Sequence, residues 1–166
     1  MDAYLDIETT GLSPYADEIT VVGIGLSDGT DLRIVQLYED ISAADLRDAL
    51  DGVRRVFTYN GSRFDLPFIR HRLRVDIHAM ASHHDLMIAC WQRGLYGGQK
   101  AVERALGLRR RLRGVDGPEA VRLWYRYRTR HDTAALAKLL AYNREDVAQL
   151  ARIHRWLVGP AGTSRS

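Results

Sequence analysis

The chain has 166 residues, the size of one domain, with 46% hydrophobic and 27% charged residues, a balance that suits a packed globular core. Its 24 basic and 21 acidic residues leave a formal charge of +3, too small an excess to argue by itself for a nucleic-acid partner. One cysteine, Cys90 in the apolar run 86–91, excludes an intramolecular disulfide and a thiolate metal site, and no apolar stretch is long enough to span a membrane.

Lys100 and Lys138 are the only lysines, so nearly every cationic residue is arginine. The planar guanidinium fork suits phosphate, although the codon bias of a GC-rich genome explains the same composition. The N-terminus starts directly with a strand-like segment and carries no signal peptide, so a cytoplasmic protein without membrane attachment is expected.

Residues 3–7 (AYLDI) read as a short strand that ends in acidic residues, and Thr9-Thr10-Gly11-Leu12-Ser13-Pro14 then has the Gly and Pro of a turn. Residues 18–27 are β-branched and apolar, a second strand whose two glycines weaken its edges. Asp28-Gly29 is a hairpin signal, and residues 31–38 alternate as the partner strand. The chain is thus expected to open with an antiparallel meander of three strands. Ser42 is an N-cap candidate for a helix through Leu46 and Leu50, and residues 53–59 form a fourth strand that Asn60-Gly61 breaks. From Phe64 to Leu73 apolar residues recur at helical intervals, with Pro67 in the first turn, where proline is tolerated. Asp85 should cap a helix to about Arg93, and further helices fit residues 99–106 and 118–129. The last helix, 132–157, is long and amphipathic, with Leu136, Leu139, Leu140, Val147, Leu150, Ile153 and Leu157 on one broad face. Residues 159–166 (GPAGTSRS) are expected to be a disordered tail, which leaves residues 1–158 as one domain. Three strands, a helix, a strand and then mostly helices describe an α/β fold, with helices covering a mixed sheet.

Asp6 and Glu8 are one residue apart at a strand end, and strand geometry puts positions i and i+2 on the same face. Two anions about 4 Å apart repel by roughly 4 kcal/mol at an effective dielectric of about 20. A pair so placed either holds a cation or sits solvated at an edge. Asp65 opens a helix and alone reads equally well as its cap. Tyr142 precedes Asp146 by four residues, one helical turn, so the two share a face. Alone, they read as a core-edge aromatic and an exposed acid.

Together these segments are similar to the three motifs of the DEDD exonuclease superfamily. Asp6-Ile7-Glu8-Thr9-Thr10-Gly11 resembles its first motif, Asn60-Gly61-Ser62-Arg63-Phe64-Asp65 its second, and Tyr142-Asn143-Arg144-Glu145-Asp146 its third. The resemblance covers about residues 3 to 155 and is nearest to the YprB-like predicted exonuclease family. Ala141 stands where the histidine subclass carries its histidine, so the chain resembles the tyrosine subclass.

This resemblance implies a ribonuclease H-like fold, in which three antiparallel strands continue into parallel ones. It also implies a 3′→5′ exonuclease using two Mg²⁺ or Mn²⁺ ions about 3.5–4 Å apart. Hard oxygen ligands without Cys or clustered His suit those metals. By the resemblance Asp6 bridges the ions, Glu8 and Asp146 complete the site of the attacking water, and Asp65 anchors the looser ion. Tyr142 orients the water rather than deprotonating it, since an ordinary Tyr titrates near pH ~10. Thr9, Thr10, Gly11 and Leu12 would grip the terminal nucleotide, with Asn60 and Phe64 touching the penultimate one. The implied partner is DNA or RNA with a free 3′ end.

Two arginine-rich stretches, 104–113 and 122–130, read as solvated faces or as strand contacts; the second interleaves Trp124, Tyr125 and Tyr127. His83-His84-Asp85 reads as structural, because consecutive residues of an extended segment point to opposite faces. The rival readings are a binding or scaffold domain of the same fold, another ribonuclease H-like nuclease, and a proofreading-type subunit.

Overall fold

The computed structural model describes residues 1–112 and 114–159. The tail expected at 159–166 lies, from residue 160 on, outside the described residues. The strands are β1 (Asp2–Thr9), β2 (Ile19–Ser27), β3 (Leu32–Tyr38), β4 (Arg55–Thr58) and β5 (Ser82–Asp85). They form one sheet in the order β3-β2-β1-β4-β5. The first three strands pair antiparallel, while β4 runs parallel to β1 and β5 parallel to β4. This is the mixed sheet of a ribonuclease H-like fold. The helices are α1 (Ala43–Ala49), α2 (Asp65–Arg72), α3 (Leu86–Trp91), α4 (Gln99–Ala105), α5 (Gly117–Arg130) and α6 (Thr133–Val158). No helix is long and apolar enough to cross a membrane.

Local rules account for most of these boundaries. Ser42 and Asp45 form a reciprocal capping box at α1, and Asp85, Asp116 and Asp132 cap α3, α5 and α6 through their side chains. β5 was not anticipated as a strand. Its sequence SHHD has no apolar alternation, and it exists because an edge needs pairing on one side only. There His84 stacks on Phe57 at 5.2 Å, and the His83 ring bonds the Thr58 hydroxyl at 2.8 Å. Both histidines are therefore structural.

The alternation of β1 divides the core. Ala3, Leu5 and Ile7 pack with Leu46, Phe68 and Ile69 on one face of the sheet. Tyr4 packs on the other with Val147, Leu150 and Ile153 of α6. Asp6 and Glu8 continue the Tyr4 side, so both acids look toward α6. Helix α6 can come close because β2 carries glycine beneath it. A Cβ on Gly23 would lie 2.2 Å from Asn143 Oδ1 and 2.8 Å from Val147 Cγ2. The glycines of β2 therefore seat a helix rather than weaken a strand edge.

Gly23→Ala tests this seating. Asn143 is buried and hydrogen-bonded on both ends of its amide, so it cannot give way cheaply. Urea unfolding should show a loss of about 1–3 kcal/mol, the usual cost of overpacking. An unchanged midpoint would mean that α6 shifts freely on the sheet.

Candidate active site

Asp6 and Glu8 from β1 meet Asp146 from α6. One carboxylate oxygen of each lies within 4.8 Å of the others. Among the described residues no other three acidic, His or Cys side chains converge so closely. Glu8 and Asp146 are buried and Asp6 is half-buried. Desolvation, together with the other acids of the cluster, pushes the carboxyls of Asp6 and Glu8 well above the ordinary carboxylate range. Burial also raises Asp146, against the opposing pull of the Arg110 guanidinium.

Asp6, Asp65 and Asp146 are each held by a donor from a distant part of the chain. Asn143 donates from Nδ2 to the Asp6 carboxylate at 3.0 Å and to its backbone carbonyl at 3.2 Å. Its own Oδ1 accepts from Gln36 Nε2 at 2.9 Å, which fixes the amide orientation. Asp65 does not cap its helix. The N-cap is Phe64, and Asp65 Oδ1 instead accepts the Ile7 backbone N–H at 3.1 Å. The parallel ladder between β1 and β4 is registered from Asp2↔Arg55 to Tyr4↔Phe57, and β4 stops at Thr58. The Ile7 N–H lies beyond that ladder, and Asp65 takes it. Burial raises the Asp65 carboxyl to about 7 in spite of this bond. Asp65 thus lies beside the trio of converging oxygens, with one oxygen already engaged.

Tyr142 is 6% exposed and sits one turn before Asp146 on α6, facing the cluster. Desolvation and the nearby acids raise its hydroxyl above the usual Tyr range, so it stays protonated and keeps a proton to donate. Lys100 of α4 lies 4.8 Å from the centre of the Tyr142 ring. Arg110 reaches in from the loop after α4 and forms an ion pair with Asp146.

The loop after β1 follows directly on Glu8 and is closed by its own hydrogen bonds. Thr9 donates its hydroxyl to the Gly11 carbonyl at 2.6 Å, and Thr10 closes the loop on Glu18 through its backbone N–H and its hydroxyl. The Asp17 carboxylate accepts the Ser13 N–H at 2.9 Å and fills the space a Cβ on Gly11 would need, 2.4 Å away. Leu12 is 85% exposed and takes no part in the core. Phe64 packs on Phe68 at 5.0 Å and belongs to the core edge. Asn60 has φ 62°, and Asp85 accepts its N–H at 2.8 Å.

Sequence reading had singled out Asp6, Glu8, Asp65, Tyr142 and Asp146, but not Asn143, Gln36, Lys100, Glu103 or Arg110. Asn143 carried a usable signal: a polar residue beside Tyr142 and four before Val147 lies on the sheet side of α6. Of the second arginine-rich stretch, Arg122 pairs with Glu119 at 2.7 Å, Arg126 with Asp132 at 2.5 Å, and Arg128 lies over Trp124. Those cations are largely engaged within their own surface.

The residues fit a hard divalent cation. Every converging donor is a carboxylate oxygen, the ligand type of Mg²⁺ and Mn²⁺. The Arg110 guanidinium at Asp146 balances only part of their charge, so the three carboxylates keep a net negative charge that a cation would satisfy.

The raised carboxyls make a pH prediction. A carboxyl that titrates higher in the folded than in the unfolded chain binds protons more tightly when folded. Its contribution is therefore lost as pH rises through the folded value. Without metal, the melting temperature should fall as pH rises from about 4 through about 7, where Asp65 titrates. Saturating Mn²⁺ should abolish that fall. A melting temperature that stays level across this range in EDTA would contradict the charge crowding.

The model of a family described as the RNase_H superfamily matches residues 3–158. An uncharacterized protein of Methanocaldococcus jannaschii is 27% identical over 168 residues, covering 94% of each chain. Among solved structures, the family B DNA polymerase of Pyrobaculum calidifontis superposes with a TM-score of 0.74 at 17% identity, over 95% of this chain and 24% of that one. E. coli Exonuclease I in complex with a 5cy-dA13 oligonucleotide gives 0.56 at 15% identity, over 94% of this chain and 40% of the other. Brucella melitensis NrnC bound to pGG gives 0.50 at 17% identity, over 99% and 90%. The chain thus spans about a quarter of the polymerase and two-fifths of the exonuclease, and at these identities the likeness is one of fold. From the mixed five-stranded sheet and a family match over nearly its whole length, the chain belongs to the RNase H superfamily.

Proposed function

We propose that this protein is a metal-dependent 3′→5′ exonuclease of the tyrosine-type DEDD class, similar to the YprB-like family. It would hydrolyse single-stranded DNA or RNA in the cytoplasm. The observation that carries this reading is the convergence of Asp6, Glu8 and Asp146 within 4.8 Å, with Tyr142 on the adjoining helical turn. Such crowding of buried acids is unfavourable without a cation.

Asp6, Glu8 and Asp146 would hold one divalent ion, and Asp65 with Asp6 a second. When bound, Mg²⁺ or Mn²⁺ supplies Lewis acidity and neutralises charge building on the phosphodiester. The protein's own groups orient the reactants. The protonated Tyr142 hydroxyl donates a hydrogen bond and cannot serve as the base at neutral pH. Asn143 keeps Asp6 turned toward the cluster. The exposed Leu12, at the tip of the loop that follows Glu8, is free to lie against the terminal base. Backbone groups of Thr9, Thr10 and Gly11 line the same loop, and Asn60 and Phe64 adjoin Asp65 on the other side. The likeness in fold to proteins seen with a dA13 oligonucleotide and with pGG supports nucleic acid as the substrate, and attack would begin at its free 3′ end.

End-labelled single-stranded DNA and RNA incubated with Mn²⁺ should shorten from the 3′ end and release mononucleotides, and EDTA should stop the reaction. Rapid cutting of a covalently closed circular strand would favour an endonuclease instead. Two variants separate the roles at the site. Asp6→Ala should abolish both Mn²⁺ binding, read by calorimetry, and cleavage. Tyr142→Phe should bind Mn²⁺ normally while turnover falls by about 10²-fold, the scale of one lost positioning contact. Full activity in Tyr142→Phe would refute the role given to its hydroxyl.

A further inference from the structure

Among the described residues Arg110 is the one guanidinium that reaches the acidic cluster, and its presence there needs a reason. A fixed positive charge touching a metal ligand opposes a divalent cation at the same place. Arg110 does not stand alone, however. Its Nε donates to Glu103 Oε2 at 2.5 Å and its Nη2 to Glu103 Oε1 at 2.7 Å, a bidentate pair. The same Nη2 reaches Asp146 Oδ1. Glu103 is 1% exposed, and an acid buried so deeply is there to be paired.

The backbone around Arg110 is fixed from two sides. The Arg109 carbonyl accepts Gln149 Nε2 at 3.0 Å, and Glu145 accepts the N–H groups of Arg111 at 2.5 Å and Leu112 at 2.9 Å. From α4, Gln99 Nε2 donates both to Glu103 Oε1 and to the Asp146 backbone carbonyl, each at 3.0 Å. Two side chains, Gln99 of α4 and Arg110 of the following loop, therefore meet at Asp146 of α6, and Glu103 braces both.

We propose that Glu103 and Arg110 form a charge-neutral clamp on Asp146. Arg110 is a positioning residue that holds one Asp146 oxygen and leaves the carboxylate oriented toward the metal ions. Glu103 cancels the guanidinium charge, so that Arg110 can hold the ligand without repelling the cation. Because the pair carries no net charge, its two members should affect metal binding and turnover differently. This inference rests on the reading of the site as a two-metal nuclease.

The test is a pair of variants, each checked for folding by circular dichroism and titrated with Mn²⁺ both in calorimetry and in the cleavage assay. Glu103→Gln keeps the shape and leaves the Arg110 charge uncancelled. Its Mn²⁺ dissociation constant should rise by about tenfold or more, with turnover at saturating Mn²⁺ within about threefold of the parent. The double variant Glu103→Gln with Arg110→Met removes the charge and the hold together. Its Mn²⁺ affinity should return to within about threefold of the parent, while turnover at saturation drops by about tenfold. A purely structural ion pair predicts lower melting temperatures with Mn²⁺ affinity and saturated turnover unchanged in both, and that result would overturn the clamp. If Glu103→Gln does not fold, the double variant decides alone: parental turnover at saturation overturns the proposal. A parent protein that neither binds Mn²⁺ nor cleaves would instead sink the nuclease reading itself.

Discussion

Like charge forced into one small volume is the constraint on which the rest of this molecule depends. Asp6, Glu8 and Asp146 converge where β1 ends beneath α6, with Asp65 beside them. In a site this dry, each carboxylate is costly unless something donates to it. The donors are correspondingly specific. An amide of α6 serves Asp6, a strand N–H serves Asp65, and a guanidinium serves Asp146. What these contacts leave over is net negative charge and free oxygen lone pairs, the requirements of a hard cation.

The sheet topology makes this convergence possible. β1 is central, so it is buried on both faces, and its even positions share a side with α6. β4 is too short to follow β1 to its end, which opens an edge where α2 can dock Asp65 against the Ile7 N–H. On the opposite edge of β1, glycine at position 23 lets α6 descend until Asn143 touches Asp6. The site is therefore assembled from elements that the core already holds rigid, which suits chemistry that depends on ligand placement. The loop after Glu8 lies outside that frame, and Leu12 projects from it into solvent.

Arginine has two distinct uses here. Along α5, Arg122 and Arg126 are paired with acids on the exposed surface, where such pairs contribute little to stability. Arg110 differs because its partners are buried and because its loop is gripped by Gln149 and Glu145 of α6. Two similar arginine-rich runs in the sequence thus take different parts in the fold, one supplying surface ion pairs and the other a cation built into the acidic cluster.

The sequence by itself determined whatever depends on residues near one another along the chain. Spacing of two put Asp6 and Glu8 on one strand face, spacing of four put Tyr142 and Asp146 on one helix face, and Ser42, Asp85 and Asp132 capped their helices as local hydrogen bonding requires. Only the tertiary structure decided the rest. The strand at Ser82–Asp85 exists because β4 offers it an edge, not because SHHD prefers to be extended. Asp65 had the local look of a helix cap, yet its partner is Ile7, 58 positions away. Asn143 finds Asp6 across 137 positions, and Arg110 finds Asp146 across a loop. Local geometry is encoded in dihedral preferences and periodicity, which can be read residue by residue. Which donor meets which buried acid is settled only when the core has packed, because the need for that donor arises from the loss of water that packing causes.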